Sequence, residues 1–390
     1  MTKPHSLKST LPCSVSTNVQ TAGESLTPLQ KENRIRALLN AHNAYHLDYS
    51  AGWLRKVFHA WKQPHRYFHT LDHLLDICNG IAKKHREDPC LASELMLTAL
   101  FHDVVWFPWG NDSEERSAEA FDYLVGAMGD PIPADAKKRI RETILATKHQ
   151  DSSTPMAALF NDLDCAIILH GAPVDLLAYE FQIFREFQYL NIDDYNKGRS
   201  AFFNRFARKF PACKENMKFL VEFLARRRPR IGIYAGTFQP FHIGHLAIVE
   251  KTERMFDKVI VAVGINPQKN RHSKAAAAEE IKKILPFHEV VFFDTLMVDL
   301  LDREAKNSEV TLIRGLRNGY DLDYEMNQLC FIQEMRPDTH AVYIPCDKDL
   351  EHISSSALRS MEIFDVRNRD AIYYPHKYDY AFQTIPEMFS

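Results

Sequence analysis

Apolar residues recur at three- and four-residue spacing in Ile35–Leu39, Leu71–Ile81, Leu91–Phe101, Ala118–Val125, Ile140–Ala146, Leu176–Phe187 and Phe202–Phe206. That period places them on one face of a helix. Strand-like alternation is scarce in this part, so the pattern predicts an all-α domain over residues 31–228. After Pro229 the period changes. Short apolar runs (Ile231–Ala235, Val259–Gly264, Val290–Phe293, Val310–Ile313, Ala341–Ile344) alternate with helical patterns (His245–Met255, Ala275–Leu285, Met297–Ala305, Leu322–Glu334, Ser355–Met361). Such alternation predicts an α/β domain, residues 229–390, with a parallel sheet covered on both faces. The basic run Arg226-Arg227-Arg228-Pro229-Arg230 between the two reads as a solvated connector. Residues 1–30 are rich in Ser and Thr without apolar period and read as a disordered tail.

Composition narrows the picture little. A chain of 390 residues fits two domains. The net charge of −3 points to no nucleic-acid or membrane surface. The seven cysteines are scattered and form no Cys-x-x-Cys, as in a reduced compartment. No apolar run is long enough to span a bilayer and no charged-then-apolar leader opens the chain, so the expected location is the cytoplasm.

The densest chemistry lies in Ile231-Gly-Ile-Tyr-Ala-Gly-Thr-Phe-Gln-Pro-Phe-His-Ile-Gly-His245. It reads as a buried strand, a glycine turn at Gly236 and a helix opening near Gly244. A strand feeding a helix N-terminus through glycine is a phosphate-binding geometry, because free N–H groups and the helix dipole face one space. His242 and His245, three apart, can donate to a phosphate that gains charge during reaction. Further clusters follow other strands: Asn266-Pro267-Gln268-Lys269, Arg314-Gly315-Leu316-Arg317, and Ile353-Ser354-Ser355-Ser356. In an open parallel sheet these share the carboxyl edge, where ligands bind. The inventory suits a polyphosphate. Without a Walker lysine, serine elbow or cysteine nucleophile, it points to direct attack of one phosphate on the α-phosphate of a nucleotide.

Gly236-Thr237-Phe238, His245, Lys269, Arg314-Gly315-Leu316-Arg317, Asp321, Tyr324-Glu325-Met326 and Ile353-Ser354-Ser355-Ser356 resemble the phosphopantetheine adenylyltransferase family. The resemblance, over about 231–361, implies adenylyl transfer from ATP, with Mg²⁺, to 4′-phosphopantetheine, and a homo-oligomer built on this domain. It implies catalytic roles for His245, Lys269 and Arg314. Gly236, Thr237, Phe238, His242, His245, Arg317, Glu325, Ser354, Ser355 and Ser356 would hold ATP, and Thr237, Lys269, Met297 and Arg314 the acceptor. Phe238-Gln239-Pro240-Phe241-His242-x-Gly244-His245 also resembles nicotinamide mononucleotide adenylyltransferases, which makes that nucleotide the alternative acceptor. A regulatory nucleotide or coenzyme A sensor with one inactive domain is the third reading.

In the first half, His69 and His73 in Arg66-Tyr-Phe-His-Thr-Leu-Asp-His73, the pair His102-Asp103, Thr147-Lys148-His149, and Asn161-Asp162-Leu163-Asp164 each lie near a predicted helix end. Imidazoles and carboxylates gathered in a helical bundle suit a divalent metal, and metal-activated water can attack a phosphoester. These motifs resemble the HD-domain metal-dependent phosphohydrolases. The resemblance covers about 30–228 and implies the ligands His69, His102, Asp103 and Asp164. His69 is preferred to His73 because the family's ligand usually opens its helix. It further implies His73, Glu114 and His149 around them, a transition metal or Mg²⁺, and an unspecified phosphoester or nucleotide substrate.

Overall fold

The computed structural model describes residues 26–264, 274–362 and 372–390. Its N-terminal part is helical: α1 (Pro28–Ala41), α2 (Gly52–Trp61), α3 (Leu71–Lys84), α4 (Pro89–Phe101), α5 (Ser113–Ala127), α6 (Ala134–Thr147), α7 (Pro155–Asp164), α8 (Ala166–His170), α9 (Pro173–Glu186), α10 (Ile192–Lys209) and α11 (Lys214–Arg226). Helix α4 is the axis. Every residue from Ala92 to Phe101 is buried, and α3, α5, α6 and α7 pack on it. Its start is fixed by Asp88, whose carboxylate accepts from Leu91 N–H, followed by Pro89 at the first helical position. Its end delivers His102 and Asp103 into the bundle interior.

The C-terminal part is a five-stranded parallel sheet, ordered β3-β2-β1-β4-β5. The elements are β1 (Arg230–Gly236), α12 (Ile243–Thr252), β2 (Lys258–Gly264), α13 (Lys274–Ile284), β3 (Glu289–Phe293), α14 (Met297–Glu304), β4 (Glu309–Leu316), α15 (Gly319–Met335), β5 (His340–Pro345) and α16 (Ser355–Glu362). The central strand β1 pairs with β2 and β4, setting Ile233 between Ile260 and Leu312. Alternation then sends side chains to opposite layers. Tyr234 joins the cluster holding Leu246 and Val249 of α12. Ile231, Ile233 and Ala235 join one that holds Leu300 and Leu301 of α14 together with Ile183 and Leu224 of the helical part.

All five predicted strands and the helices between them form. The connector differs from expectation. Arg227 is not solvated: its guanidinium stacks on Phe184 (3.9 Å to the ring centre), with Phe181, Tyr195 and Phe223 around it. Arg228 donates to the carbonyls of Ala305 and Ser308 (2.8 and 2.9 Å). A planar guanidinium stacks on rings and forks to carbonyls in ways a point charge does not. The segment 372–390 packs back on the helical part, with Phe389 buried and Lys56 Nζ donating to its carbonyl (2.8 Å). Residues 1–25 of the expected tail lie outside the described residues. No helix among the described residues is long and apolar enough to cross a membrane.

Candidate functional site

At the carboxyl ends of β1 and β4 a cavity of about 330 Å³ opens. The three-residue spacing of His242 and His245 has a local cause. His242 is the N-cap of α12 and its Nδ1 accepts from Gly244 N–H (3.2 Å); His245, at the third helical position, accepts from His242 N–H through its own Nδ1 (3.3 Å). The two imidazoles form a reciprocal capping box, a task usually done by Ser or Thr with Glu. Both Nδ1 atoms are acceptors, so in the neutral rings both protons sit on Nε2. The rings stack at 3.7 Å. Burial, then the nearby Arg317 charge, lowers the His242 pKa to about 4; burial, then His242 and Arg317, takes His245 well below its usual value. Both are neutral donors at pH 7.

The turn is built around Phe238. Its ring packs on Tyr234 and His245, and a Cβ at Gly236 would lie 2.8 Å from it, so only glycine fits there. The cavity wall takes in Thr237, His242 and His245 from this turn, Arg317 and Glu325, and Ser354, Ser355 and Ser356 at the start of α16. Ser355 Oγ donates to the Pro240 carbonyl (2.9 Å), tying α16 to the loop, and Ser354 Oγ accepts from Ala357 N–H (3.1 Å). Arg317 is held in a fork by Asp321, with both carboxylate oxygens 3.0 Å away. Arg314 sits beneath: Nε pairs with Glu325 (2.9 Å) and Nη1 donates to the Ala235 carbonyl (3.0 Å).

Several residues singled out from sequence sit differently. Phe238 is buried under the turn rather than in the wall. Met297 opens α14, packed against the core and outside the wall. Lys269 lies outside the described residues. Asp321, part of the recognised motif, is the partner of Arg317: it stands in the first turn of α15, and Arg317 lies just before the Asn318 cap.

In the helical part, ligand atoms of His73, His102, Asp103 and Asp164 all lie within 4.8 Å of one another. His73 Nε2 is 3.1 Å from Asp164 Oδ1, and His102 Nε2 is 3.2 Å from Asp103 Oδ2 and 3.4 Å from Asp164 Oδ1. His102 Nδ1 donates to the Ala99 carbonyl (3.0 Å), which turns Nε2 toward the two carboxylates. That Nε2 is buried and has no hydrogen-bond partner. A buried nitrogen left so is costly. A cation between these groups would satisfy all of them, so the residues fit a divalent metal. Without one, burial opposes charge on His102, but Asp103 and Asp164 outweigh it and push its pKa up to about 10.

The grouping differs from the expected set in one member: His73 is in it and His69 stands beside it. His69 Nδ1 bonds Glu186 (2.6 Å), leaving Nε2 3.7 Å from Asp103 Oδ2. Glu186 is fully buried and also accepts from the N–H groups of Tyr67, Phe68 and His69 and from Trp106 Nε1. No sequence signal joined it to a motif over a hundred residues away. Arg66 donates to the Asp103 and Val104 carbonyls (2.8 and 3.0 Å), fixing the turn that carries the pair. Glu114 is half-buried, its pKa raised by burial and by Asp103, whereas His149 is exposed.

A cytidylyltransferase-like family model matches residues 233–361. The phosphopantetheine adenylyltransferase of Buchnera aphidicola is 30% identical over 167 residues, 40% of this chain and 98% of that protein. That of Kocuria rhizophila is 34% identical, covering 33% of this chain and 82% of its own, and that of Aquifex aeolicus 34%, covering 33% and 80%. The span of the family model, 233–361, takes in most of β1, the other four strands, both histidines and the arginine and serine clusters. Through its C-terminal α/β part, the chain belongs to the phosphopantetheine adenylyltransferase family.

Proposed function

We propose that the C-terminal part transfers the adenylyl group of Mg²⁺-ATP to 4′-phosphopantetheine, giving dephospho-coenzyme A and pyrophosphate. The observation that carries this reading is the pair of neutral imidazoles, each with Nε2–H free to donate, at a helix N-terminus in one wall with Arg317 and the serines. An oxygen of the acceptor phosphate bonds the α-phosphorus as the bond to pyrophosphate breaks. Charge grows on the α-phosphoryl oxygens, and His245 and His242 donate there without first losing a proton. Arg317, held by Asp321, meets the leaving phosphates as a pre-aimed cation. Lys269, which lies outside the described residues, keeps in this reading the catalytic and acceptor-binding role that the family resemblance implies, and Arg314, locked by Glu325, supports the acceptor end. Exposed Tyr320, Tyr324, Phe331 and Met335 on α15 support assembly into a homo-oligomer. The test is pyrophosphate release with Mg²⁺-ATP and either 4′-phosphopantetheine or nicotinamide mononucleotide. Turnover with the first alone is expected; turnover with the second alone replaces the acceptor.

For the helical part we propose a metal-dependent phosphohydrolase of the HD type. His73, His102, Asp103 and Asp164 would hold the metal, supported by their convergence and by the unpartnered His102 Nε2. A divalent ion there supplies Lewis-acid polarisation of a phosphoryl oxygen and activation of water. Mixed imidazole and carboxylate donors admit Mg²⁺ and several transition metals. His69, clamped by Glu186, directs Nε2 at Asp103 and orients that carboxylate. Metal analysis of the purified chain, with phosphate release from p-nitrophenyl phosphate, tests this; a protein that takes up no metal refutes it.

A further inference from the structure

The nucleotide cavity and a cavity in the helical part differ in charge. The nucleotide cavity offers two imidazoles, Arg317 and three serines. The cavity beside the helical four-residue set, about 380 Å³, has His73 and Asp164 in its wall. Its sides are apolar, with Phe68, Ile77 and Tyr179, and no lysine or arginine lines it. Instead Asp72, Asp76 and Asp175 do. Asp72 is paired with Lys31 (2.6 Å) and Asp175 accepts from Ala172 N–H (3.3 Å). Asp76 has no hydrogen bond or ion pair among the described residues. A row of carboxylates alone specifies nothing. The row is joined to the candidate metal set, however: His73 and Asp164 stand in the same wall, and His102, which does not line the cavity, holds its buried Nε2 3.4 Å from the Asp164 oxygen that His73 approaches.

We infer that this cavity receives phosphomonoesters with a single phosphate and a neutral or cationic body, and rejects esters whose body carries further negative charge. The inference rests on the phosphohydrolase reading of the site. In the reaction, a water oxygen bonds phosphorus, the ester P–O bond breaks, and the departing alcohol oxygen takes a proton from that water. The phosphate end meets the four-residue set. The body then lies along the apolar sides, within the wall that Asp76 and Asp175 share. A second phosphate or a carboxylate placed there faces Asp76 and Asp175 while the nearby Lys31 is already paired with Asp72, whereas an ammonium group gains a partner.

The test is binding and turnover on the full chain supplied with Mn²⁺. Calorimetry compares 3-aminopropylphosphonate with 3-phosphonopropionate, non-hydrolysable analogues that differ mainly in the sign of the distal charge. Phosphate release compares O-phosphoethanolamine with phosphoglycolate. The amine of each pair is expected to be favoured by about tenfold, an order-of-magnitude figure for one unit charge against partly exposed carboxylates. In the double variant Asp76→Asn/Asp175→Asn the ratio is expected to approach one. Because each ratio is internal to one preparation, partial unfolding of the variant does not move it. Equal or reversed preference in the unsubstituted chain overturns the inference, and so does a preference that survives the double substitution. A preference in binding that the double variant abolishes, with no phosphate released from any ester, upholds the charge selection and removes the hydrolase reading alone.

Discussion

Replacing His245 by alanine separates chemistry from architecture in the nucleotide cavity. The substitution deletes one Nε2–H donor aimed where charge grows, and one acceptor, Nδ1, for the His242 N–H at 3.3 Å. Loss of a single donor of the oxyanion type costs about 10²–10³ in kcat, or about 3–4 kcal/mol of transition-state stabilisation. The capping loss is smaller, about 1 kcal/mol of helix stability, since a long contact at a helix start is removed and His242 still caps Gly244. The expected result is therefore a fall of at least about a hundredfold in pyrophosphate release at saturating substrates, with KM for ATP changed by less than about fivefold. Thermal unfolding should move little. A kcat within fivefold of the unsubstituted protein would refute the assignment. A large loss confined to KM would instead make His245 a ground-state contact. Since both imidazoles are held neutral by burial, kcat should show no imidazole titration between about pH 6 and 8.

Arg314→Ala should raise KM for 4′-phosphopantetheine, and also leave Glu325 without its partner; an unchanged KM counts against its acceptor role. Asp103→Ala should strip metal from the purified chain while adenylyl transfer persists, and His73→Ala should lower metal content more than His69→Ala, read by elemental analysis. Buried His65 has its pKa lowered to about 3, chiefly by burial and next by Arg66, so the unfolded chain binds its proton first as pH falls. Its contribution is complete above the unfolded pKa near 6.5 and is lost on going down toward about pH 3. At pH 4 the loss is about 3 kcal/mol, so His65→Gln should flatten the fall in denaturation midpoint between pH 6.5 and 4, and an unaltered slope would refute this. Removing residues 372–390 should destabilise the helical part, because it exposes the pocket of Phe389 and Ile385; an unchanged melting temperature would contradict it.

The sheet was legible because each strand is a short apolar run flanked by helical periods, a pattern with few competing readings. The phosphate edge was legible because a parallel sheet places every post-strand loop on one side. What the pattern did not show were interactions made at long range. The choice between His69 and His73 turned on long-range geometry: Glu186 holds the His69 Nδ1 from the end of α9, and the ring stands with Nε2 3.7 Å from Asp103, beside the four converging groups. Nothing in Ile183-Phe184-Arg185-Glu186 advertises such a task. Phe238 reads as part of a phosphate loop from its neighbours, yet an aromatic ring in a glycine turn gains more by burial against Gly236 than by facing water. The helices α2, α7, α8 and α11 fell outside the segments chosen by period.

The basic run at 226–230 marks a change in pattern, and a change in pattern is not a hinge. Lys258, at the start of β2, is fully buried and donates to the carbonyls of Gln188 and Leu190 while pairing with Glu289 (3.0 Å). Arg185 donates to the Glu253 carbonyl at the end of α12, and Phe287 stacks on His65 at 4.0 Å. The helical part therefore supplies the acceptors for a buried ammonium group of the sheet, and the sheet supplies the ring that covers a buried imidazole next to Arg66. Cutting at residue 229 would leave Lys258 with one carboxylate partner and open to water, and would expose Phe287. Polar groups that become hydrated lose only the net worth of each bond, about 1 kcal/mol, while the bared apolar surface loses its burial. These contacts border the helical site, at His65 next to Arg66 and at Arg185 next to Glu186, which is why each site is best probed by point substitution in the intact chain.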